Sequence, residues 1–433
     1  MLLRIAAFAV FAIAPCAHAQ AWLPDAVPAA SNEPLTLDDA FERVARSHPD
    51  LRLFGPRSEA LLAERDFATL RPPLRASLDI ENALGSGEAS GFGQAEVTLS
   101  LAGVFERGGK LDARRTLAQS RIDALAVLRE AQRLDLLAEV ARRYLAAQSA
   151  RAEAAIARTD IEQRKRTVAA ASQRLQAGAS PESVVLTAQA ALARAELALA
   201  RAMQLQEAAQ RHLAALWGER EPRFDVAAGD PLALPAIDGL DALADLLQAS
   251  PELKQIADER RIREARLQLA RSEAAPDIDW QLGVRRLQDT GDTALVAGVS
   301  MPLGRARRAQ PGIRAAEAEL AMLGIERESR DVALYATLAE AHGRYRVARL
   351  EVERTRADVL PRLARAETAA ERAYRAGAVS YLEWSQLQSD TIAARRQQLA
   401  VALDAHRALI ELQRLTGAPL LADARANAQG TEP

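Results

Sequence analysis

Hydrophobic and polar residues follow two different patterns along this 433-residue chain. Over most of its length, apolar or alanine positions recur at steps of three and four, as at Leu134, Leu137, Ala141 and Tyr144. This spacing predicts amphipathic helices that pack side by side like a coiled coil, with alanine allowing close approach. In four short segments apolar and polar residues instead alternate one by one, which predicts β-strands.

The alternating segments come in two pairs, one in each half of the chain. They are 75–81, 94–101, 277–285 and 293–301. We predict one β-hairpin over 75–101 and a second over 277–303, each with one apolar and one mostly polar face. The length and pattern fit outer-membrane strands, which are apolar toward lipid and polar toward a lumen. Two small antiparallel sheets capping a soluble helical domain are the alternative.

The two halves of the chain resemble each other. LQAGASPES (175–183) is echoed by YRAGAVSYL (374–382), and Gly178 and Gly377 are 199 positions apart, as are Gly218 and Gly417. Such self-similarity predicts two copies of one structural unit. A segment rich in proline and glycine joins them. The predicted organisation is a signal peptide, a first repeat, a linker, a second repeat and a disordered C-terminal tail, at 1–19, 20–218, 219–239, 240–417 and 418–433.

Each repeat is predicted to contain a helical hairpin of two long helices that follows its β-hairpin. The helices are predicted at 111–177, 181–217, 313–376 and 380–416. The first of each pair would be roughly 100 Å long at 1.5 Å per residue. A glycine turn, at Gly178 or Gly377, would then reverse the chain.

The first twenty residues, MLLRIAAFAVFAIAPCAHAQ, have a basic start, an apolar core and a small-residue end. This layout predicts a secretory signal that is cleaved after Ala19. A transmembrane anchor is the alternative, but the apolar run stops at Pro15 and is too short to span a bilayer comfortably. Lipid attachment at Cys16 is another alternative. The cleaved chain would have no cysteine, which excludes disulfides and thiolate sites.

If the predicted strands of this exported protein lie in lipid, they constrain how many chains must assemble. An open strand edge leaves backbone groups unpaired in hydrocarbon, so a lipid-exposed sheet must close on itself. Four strands cannot close, because the smallest membrane barrels have about eight. Several chains must therefore share one barrel, and three chains would supply twelve strands.

Candidate chemistry is sparse. The histidines outside the signal, His48, His212, His342 and His406, have no second histidine or cysteine at metal-ligand spacing. GSGEASG and FERGGKL lack the spacing of phosphate-binding loops, and we interpret both as turns. The formal charge of −2 does not favour nucleic-acid binding. We predict neither an enzyme nor a cofactor, metal or nucleic-acid site.

The segments ENALGSGEASGFGQAEVTLSL…FERGGK (81–110) and VSMPLGRARRAQPGIRAAEAEL (299–320), with the two repeats, resemble the TolC-like outer-membrane efflux factors. The first segment is similar more narrowly to the CzcC-type branch, associated with heavy-metal cations. The resemblance implies a mainly α homotrimer with a twelve-stranded β-barrel in the outer membrane of a Gram-negative bacterium. An α-helical barrel would form a tunnel across the periplasm beneath it.

The resemblance also implies a role and partners. The chain would be a passive exit duct for heavy-metal cations, docked through a periplasmic adaptor (membrane fusion) protein onto an inner-membrane RND-type pump. The same duct for drugs or secreted peptides is an alternative. A soluble periplasmic coiled-coil adaptor or scaffold is an alternative of another class.

In that family the two hairpin turns form the periplasmic tip, which constricts the tunnel and meets the adaptor. The turns match here at Gly178 and Gly377. Ser183 and Glu383 stand where relatives carry small polar and acidic groups, and Tyr374 matches an aromatic residue that helps to close the aperture.

The match at the tip is incomplete. Val184 replaces an expected acidic residue, and Val379 stands where some relatives carry an arginine. The polar lock of drug-exporting relatives is therefore only partly present, and the sequence leaves open which side chains hold this tip together.

Overall fold

The first repeat builds a small hairpin on two long helices. The computed structural model of the protein describes residues 34–87 and 90–418. The elements of the first repeat are α1 (Leu37–Ser47), α2 (Pro49–Arg52), α3 (Phe54–Ala68), β1 (Arg75–Glu81), β2 (Glu96–Phe105), α4 (Lys110–Gln176) and α5 (Glu182–Ala214). With 67 residues, α4 is about 100 Å long at 1.5 Å per residue.

The second repeat has the same order of elements, but its first long helix is interrupted. Its elements are α6 (Leu240–Leu247), α7 (Pro251–Ser272), β3 (Ile278–Leu287), β4 (Thr293–Ser300), α8 (Arg305–Arg354), α9 (Leu360–Arg375) and α10 (Tyr381–Thr416). A π-helical turn, Thr355–Val359, joins α8 to α9. Pro361, which follows this turn, has no N–H to donate to the carbonyl four residues back. The wider turn accommodates that missing bond.

The start of the second long helix differs from the prediction. We placed it at 313, after Pro311, but α8 begins at Arg305 and runs through this proline. Gly304, with φ of 79°, sets the helix start, as Gly109 with φ of 73° does for α4. The helix tolerates Pro311 with the loss of one backbone hydrogen bond.

The helices and strands do not test the other predicted boundaries, which are those of the signal peptide, the repeats, the linker and the tail. The predicted signal peptide (1–19), including Cys16, lies outside the described residues, as does the predicted tail from 419 onward. The repeat boundaries at 20–218 and 240–417 and the linker at 219–239 stay predictions.

The two predicted hairpins join into a single antiparallel sheet with strand order β1-β2-β3-β4. The two hairpins are joined by the pairing of β2 with β3, which runs along the full length of both strands, from Glu96 opposite Leu287 to Phe105 opposite Ile278. Within the described part of the chain, β1 and β4 each have a strand on one side only. The sheet therefore has two open edges.

Burial in the sheet is the reverse of that in a water-soluble protein. The small polar residues Thr98 and Ser100 are 4% and 2% exposed. They lie beneath longer polar side chains, such as Gln281, which donates a hydrogen bond to Ser100 Oγ at 2.8 Å. On the opposite face, Leu99 and Leu295 are 62% and 88% exposed. At its centre this sheet covers small polar residues, and it presents its apolar face outward.

The helices pack through alanine. Ala154 and Ala157 of α4 and Ala188 and Ala195 of α5 are buried. A methyl side chain lets two helix backbones approach closely, and it loses little conformational entropy on burial. Long helices therefore pack here with few large side chains.

Larger side chains gather halfway along the long helices, where the linker crosses them. One cluster packs Leu35 and Val226 against Val140 and Tyr144 of α4. Tyr144 Oη donates to the carbonyl of Leu35 at 3.1 Å, and burial raises the pKa of this tyrosine to about 12. The second repeat has an equivalent cluster around Tyr345, which donates to the carbonyl of Pro235.

Candidate functional site at the helical tip

The two helical hairpins reverse at glycines in the left-handed region. Gly178 has φ of 68° and Gly377 has φ of 83°. In both turns the next backbone N–H closes the helix end, from Ala179 to the carbonyl of Arg174 and from Ala378 to that of Ala373, each at 2.8 Å. Only glycine adopts this conformation without strain. The two predicted turn glycines are thus required by the backbone.

The predicted polar residues Ser183 and Glu383 lie in the first turns of the returning helices and are exposed. Glu383 also places its backbone N–H on the Ser380 side chain, at 3.3 Å, which caps α10. Its carboxylate stands at the positive end of the helix dipole and has no ion pair among the described residues. Both side chains are free to contact a partner.

Tyr374, the predicted aromatic residue, lies inside the tip and not on its surface. It is 3% exposed, and its ring packs on Trp384 with the ring centroids 5.2 Å apart. Trp384 is 1% exposed and is the largest fully buried side chain of the described residues. Val185 and Ala188 of α5 complete this core. The two hairpins therefore share one small hydrophobic core at the tip, which we call the tip core.

Arg174 links the two turns, and the sequence reasoning missed it. Its guanidinium donates hydrogen bonds to the carbonyl of Tyr374 in the second repeat and, at 3.2 Å, to that of Ala179 in the first. It also lies over the Tyr374 ring, 4.9 Å from the centroid, in a cation–π contact. One signal in the sequence pointed to it: Arg174 occupies the position equivalent to Ala373, so the two repeats differ there.

A layer of polar side chains lies above the tip core, between α4 and the second hairpin. Arg164 of α4 is paired with Asp160 at 3.0 Å and also donates to Ser389 of α10 at 3.0 Å. Gln163 donates to the carboxylate of Glu367 in α9 at 3.1 Å. Burial raises the pKa of Glu367. Hydrogen bonds of defined geometry fix the register between helices that alanine packing alone would leave free to slide.

The described ranges contain no group of three or more histidine, cysteine, aspartate or glutamate side chains placed to hold a metal ion. The histidines are dispersed; His406, for example, contacts the carbonyl of Pro231 through Nε2 at 3.0 Å. Among the described residues, the tip therefore offers exposed polar side chains for contacts and no cluster of metal-ligating groups.

Comparison with known proteins identifies the family to which this protein belongs. Residues 66–219 and 242–418 match the outer membrane efflux protein family, one segment in each repeat. The chain belongs to this family, and it is a channel protein of the outer membrane and not an enzyme. The predicted resemblance is thereby confirmed.

The chain is also similar in sequence to three individual proteins. The chain is 26% identical to the cobalt-zinc-cadmium resistance protein CzcC of Cupriavidus metallidurans over 384 residues, covering 89% of this chain and 90% of that protein. It is 30% identical to Protein CyaE of Bordetella pertussis over 408 residues, covering 89% and 84%. A third match, 25% identical over 59% of this chain and 58% of the relative, is the nickel-cobalt-cadmium resistance protein NccC of Alcaligenes xylosoxydans xylosoxydans.

Solved structures confirm the fold. CusC superposes with a TM-score of 0.73 at 18% identity, covering 88% of this chain and 92% of CusC. The outer-membrane channel OprN has a TM-score of 0.71 at 20% identity, with 89% and 91% covered. The outer-membrane channel MtrE of Neisseria gonorrhoeae, in its open state, has a TM-score of 0.68 at 18% identity, with 89% of each chain covered. The predicted mainly α fold is therefore correct.

Proposed function

We propose that this outer-membrane channel is the passive exit duct of a tripartite efflux system for heavy-metal cations. The observation that carries the duct is the sheet, which has an exposed apolar face and two open edges and stands on helices about 100 Å long. The observation that favours metal cations is the similarity over 89% of the chain to a cobalt-zinc-cadmium resistance protein.

The sheet supports a homotrimer. In lipid the unpaired N–H and C=O groups of β1 and β4 must find partners. Pairing β4 of one copy with β1 of the next satisfies both edges, and three copies make a closed barrel of twelve strands, above the minimum of about eight. The apolar side chains would then face outer-membrane lipid, and the polar face with Gln281 would line the lumen.

The helices support the same assembly. Glu182–Trp217 is the one helix in the described ranges that is long and apolar enough to cross a membrane by length and composition, with a mean hydropathy of 1.3. Only 17% of its apolar stretch is buried, and Leu186 and Leu197 are 56% and 71% exposed. This helix packs along α4, far from the sheet. We infer that a neighbouring copy covers it in an α-helical barrel that crosses the periplasm.

The tip is the proposed docking point for a periplasmic adaptor protein, which connects the duct to an inner-membrane RND-type pump. Ser183 and Glu383 are exposed there, next to Leu382, which is 73% exposed. Gly178 and Gly377 set the shape of the surface, and Tyr374 supports it from inside. The pump would supply the energy, and the duct needs only weak contacts with its cargo, because tight binding slows exit.

Deletion of the gene tests the substrate. We expect the deletion strain to become more sensitive to cobalt, zinc, cadmium and nickel than to a panel of drugs and dyes. The wild-type gene restores tolerance in the complemented strain, and an empty vector is its control. Unchanged metal tolerance with raised drug sensitivity would contradict the metal assignment and favour a drug duct.

Membrane fractionation and mass measurement test the duct itself. We expect the protein in the outer-membrane fraction and, in detergent, a particle with the mass of three chains. A monomer in the soluble periplasmic fraction would contradict the duct and favour the adaptor or scaffold alternative.

A further inference from the structure

The two ends of the sheet differ in their arginines. At the loop end Arg285 is neutralised by Glu96 at 2.6 Å and Glu81 at 3.1 Å. Arg286 donates to the carbonyl of Gly291 in the β3–β4 turn. At the helix end, four exposed arginines in the segments outside the strands have no ion pair with any described residue. They are Arg71, Arg107, Arg307 and Arg308.

These four arginines come from different connections but share one level of the fold. Arg71 lies between α3 and β1, Arg107 between β2 and α4, and Arg307 and Arg308 in the first turn of α8. Each follows or precedes a strand end on the side where the long helices begin. Chain topology therefore gathers them in one layer beneath the sheet.

The acids at this level do not neutralise that layer. Glu106 is held by Arg114 through two hydrogen bonds, at 2.5 and 2.7 Å. Asp277 is paired with the buried Lys110 at 2.5 Å. Glu273 and Asp279 are exposed near this level, but two carboxylates cannot balance four guanidinium groups. An excess of solvent-accessible positive charge remains.

An apolar and aromatic border lies directly next to these arginines. Phe105 and Trp280 stack on the outward face with their ring centroids 5.9 Å apart. Phe67 and Leu303 are 77% and 87% exposed. Aromatic side chains gather at the boundary between hydrocarbon and headgroups. The arginines thus stand where headgroups begin, just beyond the apolar band.

We propose that Arg71, Arg107, Arg307 and Arg308 form a basic belt that binds the headgroups of anionic phospholipids at the helix end of the apolar sheet. This rests on the proposed membrane insertion of the sheet. A guanidinium group binds phosphate oxygens through paired N–H donors and stays charged at any physiological pH. In the trimer the belt is repeated three times around the barrel and fixes its depth in the bilayer.

Quenching of Trp280 fluorescence by brominated lipids tests the belt. The purified trimer is reconstituted in bilayers that contain brominated phosphatidylglycerol or, in parallel, brominated phosphatidylcholine. The same measurement on Trp280→Phe isolates the signal of Trp280 from those of the other tryptophans. We expect the anionic lipid to quench Trp280 more strongly at equal mole fraction, and added salt to reduce this preference by screening.

Matched variants assign the preference to the belt. In the variant R71Q/R107Q/R307Q/R308Q we expect both brominated lipids to quench Trp280 fluorescence equally. The control variant removes the same number of charges from four exposed arginines of the second long helix, Arg327, Arg346, Arg356 and Arg365. We expect this variant to keep the preference for the anionic lipid. If the belt variant fails to assemble, the salt dependence of the wild-type protein and the single variants Arg107→Gln and Arg307→Gln make the same test.

Each outcome is informative. Equal quenching of wild-type Trp280 by both lipids, or a preference that survives in the belt variant, overturns the belt and leaves the duct intact. Absence of quenching by either lipid means that Trp280 is outside the bilayer, and this overturns the proposed membrane insertion as well.

Discussion

The two helical hairpins are copies of one unit, but they differ in how they are held. The first contains α4, which runs unbroken for 67 residues and packs on α5 through alanine. The second is divided by the π-helical turn at Thr355–Val359, and its lower part is held by larger side chains. These are Trp384 in the tip core, Glu367 in the polar layer, and Tyr374 under Arg174. The first hairpin is thus continuous along its length, whereas the second is interrupted and meets the first at the tip through these large or polar side chains.

This difference has a consequence for the proposed docking surface at the tip. An interface of many small contacts changes little when one is lost, whereas an interface of few large contacts depends on each of them. We therefore expect mutations in the second hairpin, or in the contacts that reach it, to affect the tip more than equivalent changes in the first.

Truncation of the tip core should have the largest effect. Trp384→Ala removes a fully buried ring, and we expect a loss of about 3–5 kcal/mol of local stability. Val185, at the equivalent position of the first repeat, is the matched control, and Val185→Ala should cost about 1–2 kcal/mol. Hydrogen exchange of the tip amides in both repeats measures the difference. Equal protection in the two variants would contradict the proposed asymmetry.

Removal of the Arg174 contacts should have the next largest effect. Arg174→Gln loses charge-assisted hydrogen bonds to two carbonyls and the contact with Tyr374, worth about 2–3 kcal/mol together. We expect the tip to loosen and the conductance of single trimers in planar bilayers to rise. Arg375→Gln is the control, because Arg375 is exposed and, among the described residues, forms its ion pair with Glu371 at 2.6 Å. A similar conductance in both variants would mean that Arg174 does not hold the turns together.

Substitution of the turn glycines should have a moderate effect. A non-glycine residue in the left-handed region costs about 1–2 kcal/mol, and a β-branched residue more, so we expect Gly178→Val and Gly377→Val to weaken adaptor binding. Gly377→Val should be the worse of the two, because its Cβ would already be in van der Waals contact with the Arg174 guanidinium at 3.7 Å and leaves less room for the γ-methyl groups, whereas Gly178 has no neighbour within 4 Å. Binding assays with the cognate adaptor measure this order. Full binding by both variants would argue against these turns as the docking point.

The smallest expected effect concerns pH. Burial raises the pKa of Glu367, so its neutral form fits the folded protein better than its charged form. The polar layer should therefore weaken as pH rises through the raised pKa and strengthen as pH falls toward the unfolded value. Glu367→Gln should remove this dependence. Hydrogen exchange of α9 at several pH values gives the comparison, and an identical pH dependence in the variant would rule out Glu367 as its source.

Much of the architecture follows from local patterns. Alternation predicted the strands, the repeat predicted two equivalent halves, and Gly178 and Gly377 marked turns that the backbone requires. The second long helix begins at Arg305 and not at the predicted 313, because Gly304 sets its start. Trp384 was not singled out, since a single tryptophan in a helical segment gives no local sign of how deeply it is buried.

Which segments form helices and strands follows from the amino-acid sequence, because hydrophobic period and glycine conformation are properties of neighbouring residues. The pairing of β2 with β3, the reach of Arg174 to Tyr374 200 positions away and the shared level of the four unpaired arginines emerge only from the folded chain. Such contacts depend on where distant segments meet. That meeting is set by the packing of whole helices, and no local pattern encodes it.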